Sequence, residues 1–244
     1  MKVVMLGATK GMGRALARRF AERGDRLFLL EHQADQLRLS ARDLEIRGAA
    51  MPVNTAYCDL LHPETFAPAL AAADKELDGI DAIVVTAGLF GTQEQLENDL
   101  LLAEKVLTAD FTNTVLFCEQ SRKRLLAWGG VLCVFSSVAG ERGRKPVILY
   151  GAAKAGLSRY LEGLDHKFRS RGLKTVCVKP GFVKTGMTAG LKPPPFTGEP
   201  DQVARLVLRA IDRGKPVVYV PGAWRWVMWI IRHLPRFVMR RIEF

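Results

Sequence analysis

"MKVVMLGATKGMGR", residues 1–14, joins a short apolar run to a loop with glycines at 7, 11 and 13, and "RALARRFAERG" follows with its apolar residues at helical spacing. Lys2–Leu6 reads as a strand and the segment after Gly13 as a helix. Glycines at such a junction let the backbone turn sharply and approach a pyrophosphate, whose charge then meets the helix N-terminus. The rhythm repeats. Arg26–Leu30, Ala50–Tyr57, Ile80–Thr86, Val131–Phe135, Lys174–Val178 and Pro216–Val220 read as further strands. "ADQLRLSARDLEIRG" and "ETFAPALAAADKEL" read as helices between them, and longer helical regions run from about Gln93 to Trp128 and from about Leu149 to Arg171. Repeated β-then-α units predict a single α/β domain, a doubly wound parallel sheet with right-handed crossovers. No linker, repeat or low-complexity segment calls for a second one, so residues 1–221 form the domain and 222–244 a basic, tryptophan-rich tail.

A chain of 244 residues suits one large domain, and 48% hydrophobic with 25% charged residues is ordinary for a globular protein. The formal net charge of +11 is not ordinary, and favours nucleic acid, an acidic membrane surface or a phosphorylated ligand. No recognition-helix, zinc or aromatic-platform motif supports nucleic acid. Cys58, Cys118, Cys133 and Cys177 lie far apart without metal-ligand spacing, as expected of buried free thiols in a reducing compartment. The opening apolar run is too short for a signal peptide, so the cytoplasm is the expected location.

"LYGAAKAG" (149–156) sets Tyr150 four residues ahead of Lys154 among small side chains. On a helix the two share a face. A phenol titrates at roughly pH 10, poorly matched to proton transfer near neutrality. A cation one turn away is expected to stabilise the phenolate and lower that value. Ser137 lies thirteen residues upstream, with Ser136 beside it.

The glycine loop, Ser136-Ser137, Tyr150 and Lys154, in this order over essentially the whole chain, resemble the short-chain dehydrogenase/reductase family in its single-domain form. The resemblance implies a Rossmann-type fold that binds NAD(H) or NADP(H) through the loop residues Gly7, Thr9, Lys10, Gly11, Met12 and Gly13. Asp59, in "YCDL", matches the family's adenine contact, and "TAG" (86–88), with Ala87 and Gly88, matches its Asn-Ala-Gly with threonine in first place. "KPGFVKT" (179–185) resembles the segment that lines the nicotinamide, with Pro180, Gly181, Val183 and Thr185. Lys154 is expected to bond the nicotinamide ribose as well as tune Tyr150. Where the family usually carries an asparagine that holds a relay water, this chain has Asp110, in "TADFTN", with Asn113 nearby at a position where the family tends to have glycine. An altered but working relay is the expectation, and with it a homo-oligomer.

Two residues oppose each other over the choice of dinucleotide. Lys10 stands where a basic residue in this family commonly meets the 2′-phosphate of NADP. Glu31 closes the second strand, where a carboxylate hydrogen-bonds the ribose hydroxyls of NAD. With Arg14 adding to the positive field, and glutamate free to swing away, NADP(H) is slightly favoured over NAD(H).

The tail "WRWVMWIIRHLPRFVMRR" (224–241) is too short to span a bilayer, which needs about 20 apolar residues. Drawn as one helix, it sets Arg225, Arg232 and Arg236 nearly on one face, and Pro235 ends or kinks it. Two readings stand open: a helix lying in a membrane interface, or subunit packing. "AGLFGTQEQL", "AGERGRKPVILYG", "GMTAGLKPPP" and the tail are similar to reductases that act on a keto-pentose carried by decaprenyl phosphate. That similarity implies a lipid-linked, anionic keto-sugar substrate reached from the cytoplasmic side of a membrane, with "ERGRKP" (141–146) at its mouth. The alternatives are a dehydrogenase of a hydrophobic alcohol, steroid or acyl, and a dinucleotide-sensing regulator without catalysis.

Overall fold

The first apolar run becomes strand β1 (Lys2–Leu6), and helix α1 (Gly11–Glu22) begins at the second glycine of the loop. The computed structural model describes residues 1–242; Glu243 and Phe244, the end of the expected tail, lie outside the described residues. The later strands are β2 (Arg26–Glu31), β3 (Ala50–Tyr57), β4 (Ala82–Val85), β5 (Val131–Phe135), β6 (Lys174–Pro180) and β7 (Val217–Val220). The later helices are α2 (Ala34–Ile46), α3 (Phe66–Leu77), α4 (Gln93–Asn98), α5 (Leu100–Leu107), α6 (Thr114–Trp128), α7 (Ile148–Phe168), α8 (Pro200–Arg213), α9 (Trp224–His233) and α10 (Arg236–Met239).

The strands pair in the order β3-β2-β1-β4-β5-β6-β7, every pair parallel, as the alternation of β and α units predicts. Helices cover both faces, so successive strand residues bury to opposite sides. Val3 and Met5 pack with Leu16, Phe20 and Val207 on the side of α1 and α8. Val4 and Leu6 pack with Phe66, Phe117 and Leu157 on the side of α3, α6 and α7. All four cysteines are buried and free.

Strand order reverses between β1 and β4, and in such a sheet the crevice beyond the carboxyl ends at the reversal is where a ligand sits.

Two expectations need correction. The helical region 93–128 is not one helix. Asp99 leaves helical geometry (φ −129°, ψ 93°) and its carboxylate accepts the Leu102 amide at 2.9 Å, which ends α4 and caps α5. Residues Thr108–Asn113 then form a wider π turn, where the Thr114 hydroxyl donates to the Ala109 carbonyl at 2.6 Å. Arg225 and Arg232 share a face of α9, but Arg236 does not join them, because α9 stops at His233 and Arg236 opens a separate short helix after Pro235, the residue expected to end or kink the helix. Trp224, Met228 and Ile231 of α9 bury against Val138, with Phe182, Tyr219 and Met239 around them. Among the described residues no helix is long and apolar enough to cross a membrane.

Candidate active site

The glycine loop is built for close approach. Gly7 has φ +96°, and a Cβ on it would lie 2.5 Å from the Ala87 nitrogen; a Cβ on Gly13 would lie 2.1 Å from the Gly7 carbonyl oxygen. Any side chain at either place would push β1, α1 and the 86–88 segment apart. Thr86, which stands where the family has asparagine, takes part: its hydroxyl donates to the Gly7 carbonyl at 2.8 Å. The loop with Thr9, Lys10, Gly11 and Met12 thus faces the crevice from β1, and Ala87 and Gly88 face it from β4. Pro180 closes β6, and the following turn sets Thr185 against Gly11, whose Cβ would come within 3.3 Å of the threonine methyl. Val183 is buried beside it. Asp59 follows β3, where its carboxylate accepts the Leu61 amide at 2.9 Å. The shape of this cradle fits a dinucleotide: backbone amides stand at a helix start, and Gly7 and Gly13 leave no room for side chains in the loop.

Glu31 is less free than the sequence suggests. Thr9 donates to Oε2 at 2.9 Å, the His32 amide donates to Oε1 at 3.1 Å, and His32 Nδ1 lies 2.6 Å from the same oxygen. Lys10 Nζ donates to Gln33 at 3.3 Å, and Arg14 Nε to the Thr9 carbonyl at 2.6 Å.

Tyr150, Lys154, Ser137 and Asp110 come together from three elements. Lys154, buried on α7, sets its ammonium 3.3 Å from Asp110 Oδ2 and donates to the Phe135 carbonyl at 3.4 Å. The same nitrogen lies 5.5 Å from the centre of the Tyr150 ring. Asp110 is fully buried in the π turn; Oδ1 accepts the Leu89 amide at 2.7 Å, while Oδ2 meets the ammonium at an angle outside hydrogen-bond geometry. Asn113 turns away and donates to the Leu60 carbonyl at 2.6 Å, so Asp110 alone of the two reaches Lys154. Ser137 accepts the Ala139 amide at 3.0 Å, and Ser136 is structural, bridging the Lys154 carbonyl and Ser158.

Electrostatics correct one expectation. Burial raises the Tyr150 pKa more than Lys154 lowers it; the Asp110 charge raises it further and the Ser137 hydroxyl acts to lower it, leaving the phenol above its ordinary value. Burial acts to lower Lys154, but the negative charge of Asp110 and the phenol's own charge hold it above its ordinary value. Asp110 is raised by burial against the pull of Lys154 and the Leu89 amide.

Other contributors are not visible in sequence motifs. Gln93 of α4 accepts the amides of Ile148 and Leu149 at 2.7 and 3.3 Å, satisfying the open start of α7 next to Tyr150. Phe90 stacks edge-on to the Tyr150 ring at 5.2 Å. Glu141, four residues after Ser137 and with its side chain 5% exposed, takes a short contact from Lys179, the Tyr219 hydroxyl at 3.1 Å and Arg232 at 3.3 Å. Trp224 lies flat against Gly181, where a Cβ would come within 2.1 Å of the indole, and its Nε1 donates to the Phe196 carbonyl at 3.1 Å. Only the acidity of Glu141 within a basic stretch, and a tryptophan at the head of the tail, could have signalled these last two.

Residues 1–195 match the model of the short chain dehydrogenase family. The chain is 36% identical over 241 residues to an uncharacterized oxidoreductase of Mycobacterium tuberculosis, covering 98% of this chain and 96% of that protein. It is 34% identical over 249 residues to an uncharacterized oxidoreductase of Streptomyces coelicolor, covering 98% and 95%. Among solved structures, actinorhodin polyketide ketoreductase with NADPH superposes with a TM-score of 0.80 at 23% identity, over 89% of this chain and 95% of that one, a likeness of fold.

Proposed function

Because the chain belongs to the short-chain dehydrogenase family and is therefore a nicotinamide-dependent oxidoreductase, we propose that it is a carbonyl reductase, interconverting a ketone and a secondary alcohol. The observation that carries this is the Lys154 ammonium lodged between Asp110, the Phe135 carbonyl and the Tyr150 ring. A reduced nicotinamide, when bound, supplies the hydride. Tyr150 gives its proton to the carbonyl oxygen and Ser137 hydrogen-bonds that oxygen. Lys154 stabilises the resulting phenolate and holds the nicotinamide ribose, and Asp110 orients Lys154 and the water that returns the proton. The loop from Gly7 to Gly13 holds the pyrophosphate, Asp59 the adenine, and Ala87, Gly88, Pro180, Gly181, Val183 and Thr185 the nicotinamide half. In the oxidative direction Tyr150 takes the proton back.

NADP(H) is the preferred form in this reading. Its support is the positive charge that Lys10 and Arg14 bring to the end of β2; it stands against Glu31, whose carboxylate Thr9 and His32 hold in place. The substrate is read as an anionic keto-sugar on a lipid carrier, met by a homo-oligomer at the cytoplasmic face of a membrane. A cavity of about 850 Å³ beside α7, walled by Arg142, Arg159, Arg236 and Arg240 together with Glu141 but by none of Ser137, Tyr150 and Lys154, offers basic surface near the catalytic residues rather than among them.

The test is NADPH oxidation against a panel of ketones, with Tyr150→Phe beside the unaltered chain. Expected is a fall in turnover of about 10²–10⁴-fold with dinucleotide affinity retained. Equal turnover of the two proteins would remove Tyr150 from the chemistry, and NADH bound more tightly than NADPH would reverse the preference.

A further inference from the structure

We propose that the outward face of α9, continued by Phe237 of α10, docks on an anionic lipid membrane. The proposal rests on that part of the reading above which brings the chain to a membrane, and names the surface that would do it. α9 has two unlike apolar faces. Trp224, Met228 and Ile231 are buried against Val138 and its neighbours, which consumes the inward one. On the opposite side Trp226, Trp229 and Ile230 recur at i, i+3 and i+4, and they remain 66%, 54% and 56% exposed, with Phe237 at 61%. A soluble helix that has already buried one apolar stripe has no packing reason for a second made of its bulkiest residues.

The flanks say what covers it. Arg225 lies between the two faces, as does Arg232, whose guanidinium is 3.3 Å from Glu141, and Arg236, Arg240 and Arg241 follow, while residues 224–241 contain no aspartate or glutamate. Arg225 rests 5.6 Å from the centre of the Trp226 ring, the pairing of an amphipathic aromatic with a long cation that suits the headgroup level of a bilayer. A second copy of this chain would set two arginine-rich patches against each other, because a twofold contact pairs a patch with itself. An anionic lipid surface complements both the rings and the charge. Apolar exposure also continues past the helix: Trp224 ties α9 to the loop after Thr185, which carries exposed Met187, Leu191 and Phe196. Docking through this face would hold that loop, and with it the substrate side of the crevice, near the bilayer.

The experiment is co-sedimentation of the full chain with phosphatidylcholine vesicles with and without phosphatidylglycerol, alongside the variant Trp226→Ser/Trp229→Ser/Ile230→Ser. These side chains face outward, so the variant is expected to keep its circular dichroism and melting temperature. Expected is binding that depends on phosphatidylglycerol and falls by about tenfold or more in the variant. No binding to phosphatidylglycerol vesicles, or binding undiminished by the variant, would overturn the proposal. A variant that changes the particle mass in solution would also overturn it, by making this face a contact between copies. Reduction of the ketone panel, assayed in parallel, separates the two readings: vesicle binding with no ketone of the panel reduced would count against the reductase assignment and leave this surface standing.

Discussion

Replacing Asp110 with asparagine tests the position where this chain departs from the pattern its family suggests. The side chain is fully buried, with Oδ1 taking the Leu89 amide at 2.7 Å and Oδ2 set 3.3 Å from Lys154 Nζ. Asparagine keeps the shape and the acceptor for Leu89 and removes only the charge. That ammonium lies 5.5 Å from the centre of the Tyr150 ring, so the two legs place the lost charge within about 9 Å of the phenol ring's centre. At that distance a unit charge is worth about 2 kcal/mol with an effective dielectric constant of about 20. At about 1.4 kcal/mol per pH unit, the phenol pKa falls by about 1 unit or slightly more. The sign follows from the site: a buried anion opposes the phenolate, so removing it lowers a pKa that burial keeps high. In alcohol oxidation Tyr150 must be ionised, so the rising limb of kcat/KM against pH moves towards acid by that amount. In ketone reduction it must be protonated, so the falling limb moves the same way. Full pH profiles in both directions, for both proteins, are the assay. Static limbs would refute the coupling. A shift towards alkaline pH would refute it too, by showing that Lys154, which burial acts to lower and Asp110 holds up, had released its proton.

Three further outcomes are expected. Glu141→Gln removes a buried carboxylate from Lys179, itself largely buried, and should cost about 3–5 kcal/mol in a urea titration; an unchanged midpoint would mean the tail is held by packing alone. Gly13→Ala forces a Cβ to within 2.1 Å of the Gly7 carbonyl, so dinucleotide affinity by fluorescence titration should drop at least about tenfold while the sheet survives. The native chain should resist alkylation at mildly alkaline pH, because burial pushes the Cys58 thiol up to about 12 and raises those of Cys118, Cys133 and Cys177; mass spectrometry showing rapid labelling before denaturation would contradict this.

Strand positions were legible because a parallel sheet covered on both faces demands short continuous apolar runs, and this chain supplies them between polar helices. Boundaries moved by a residue or two, as when β6 extends to Pro180 and β4 gives up Ile80, Asp81 and Thr86. The break in 93–128 was not legible from periodicity, since apolar spacing continues through it. Two local hydrogen bonds make it, Asp99 to Leu102 and Thr114 to Ala109, and they turn Asp110 towards Lys154 and Asn113 towards Leu60. The sequence carried the sign of the Lys154 effect on Tyr150 but not its size relative to burial, which depends on Phe90 and the apolar cluster of Leu96, Ala103 and Val106 that close around the phenol. Glu141 was hidden for a related reason. Its partners Lys179, Tyr219 and Arg232 belong to β6, β7 and α9, and only the folded sheet makes them neighbours.

That neighbourhood follows from strand order. β5, β6 and β7 lie side by side with their carboxyl ends at one edge of the sheet, so whatever follows each strand emerges at the same end. Ser137 and Glu141 follow β5, Gly181 and Phe182 follow β6, and the tail follows β7. Chain leaving β7 can bury apolar surface only against the two loops already there. Trp224 does so on Gly181, and Met228 and Ile231 pack around Val138, one residue beyond Ser137. In the proposed reading the tail is therefore a third wall of the substrate side, and a force applied to its outward face would act within one residue of Ser137, the serine proposed to meet the substrate. A change at Trp224 should consequently alter KM for the ketone more than affinity for the dinucleotide. Trp224→Ala, expected to cost about 3–5 kcal/mol of stability from the cavity it leaves, measures this directly: equal losses in both constants would place the tail's influence on the whole crevice rather than on its substrate wall.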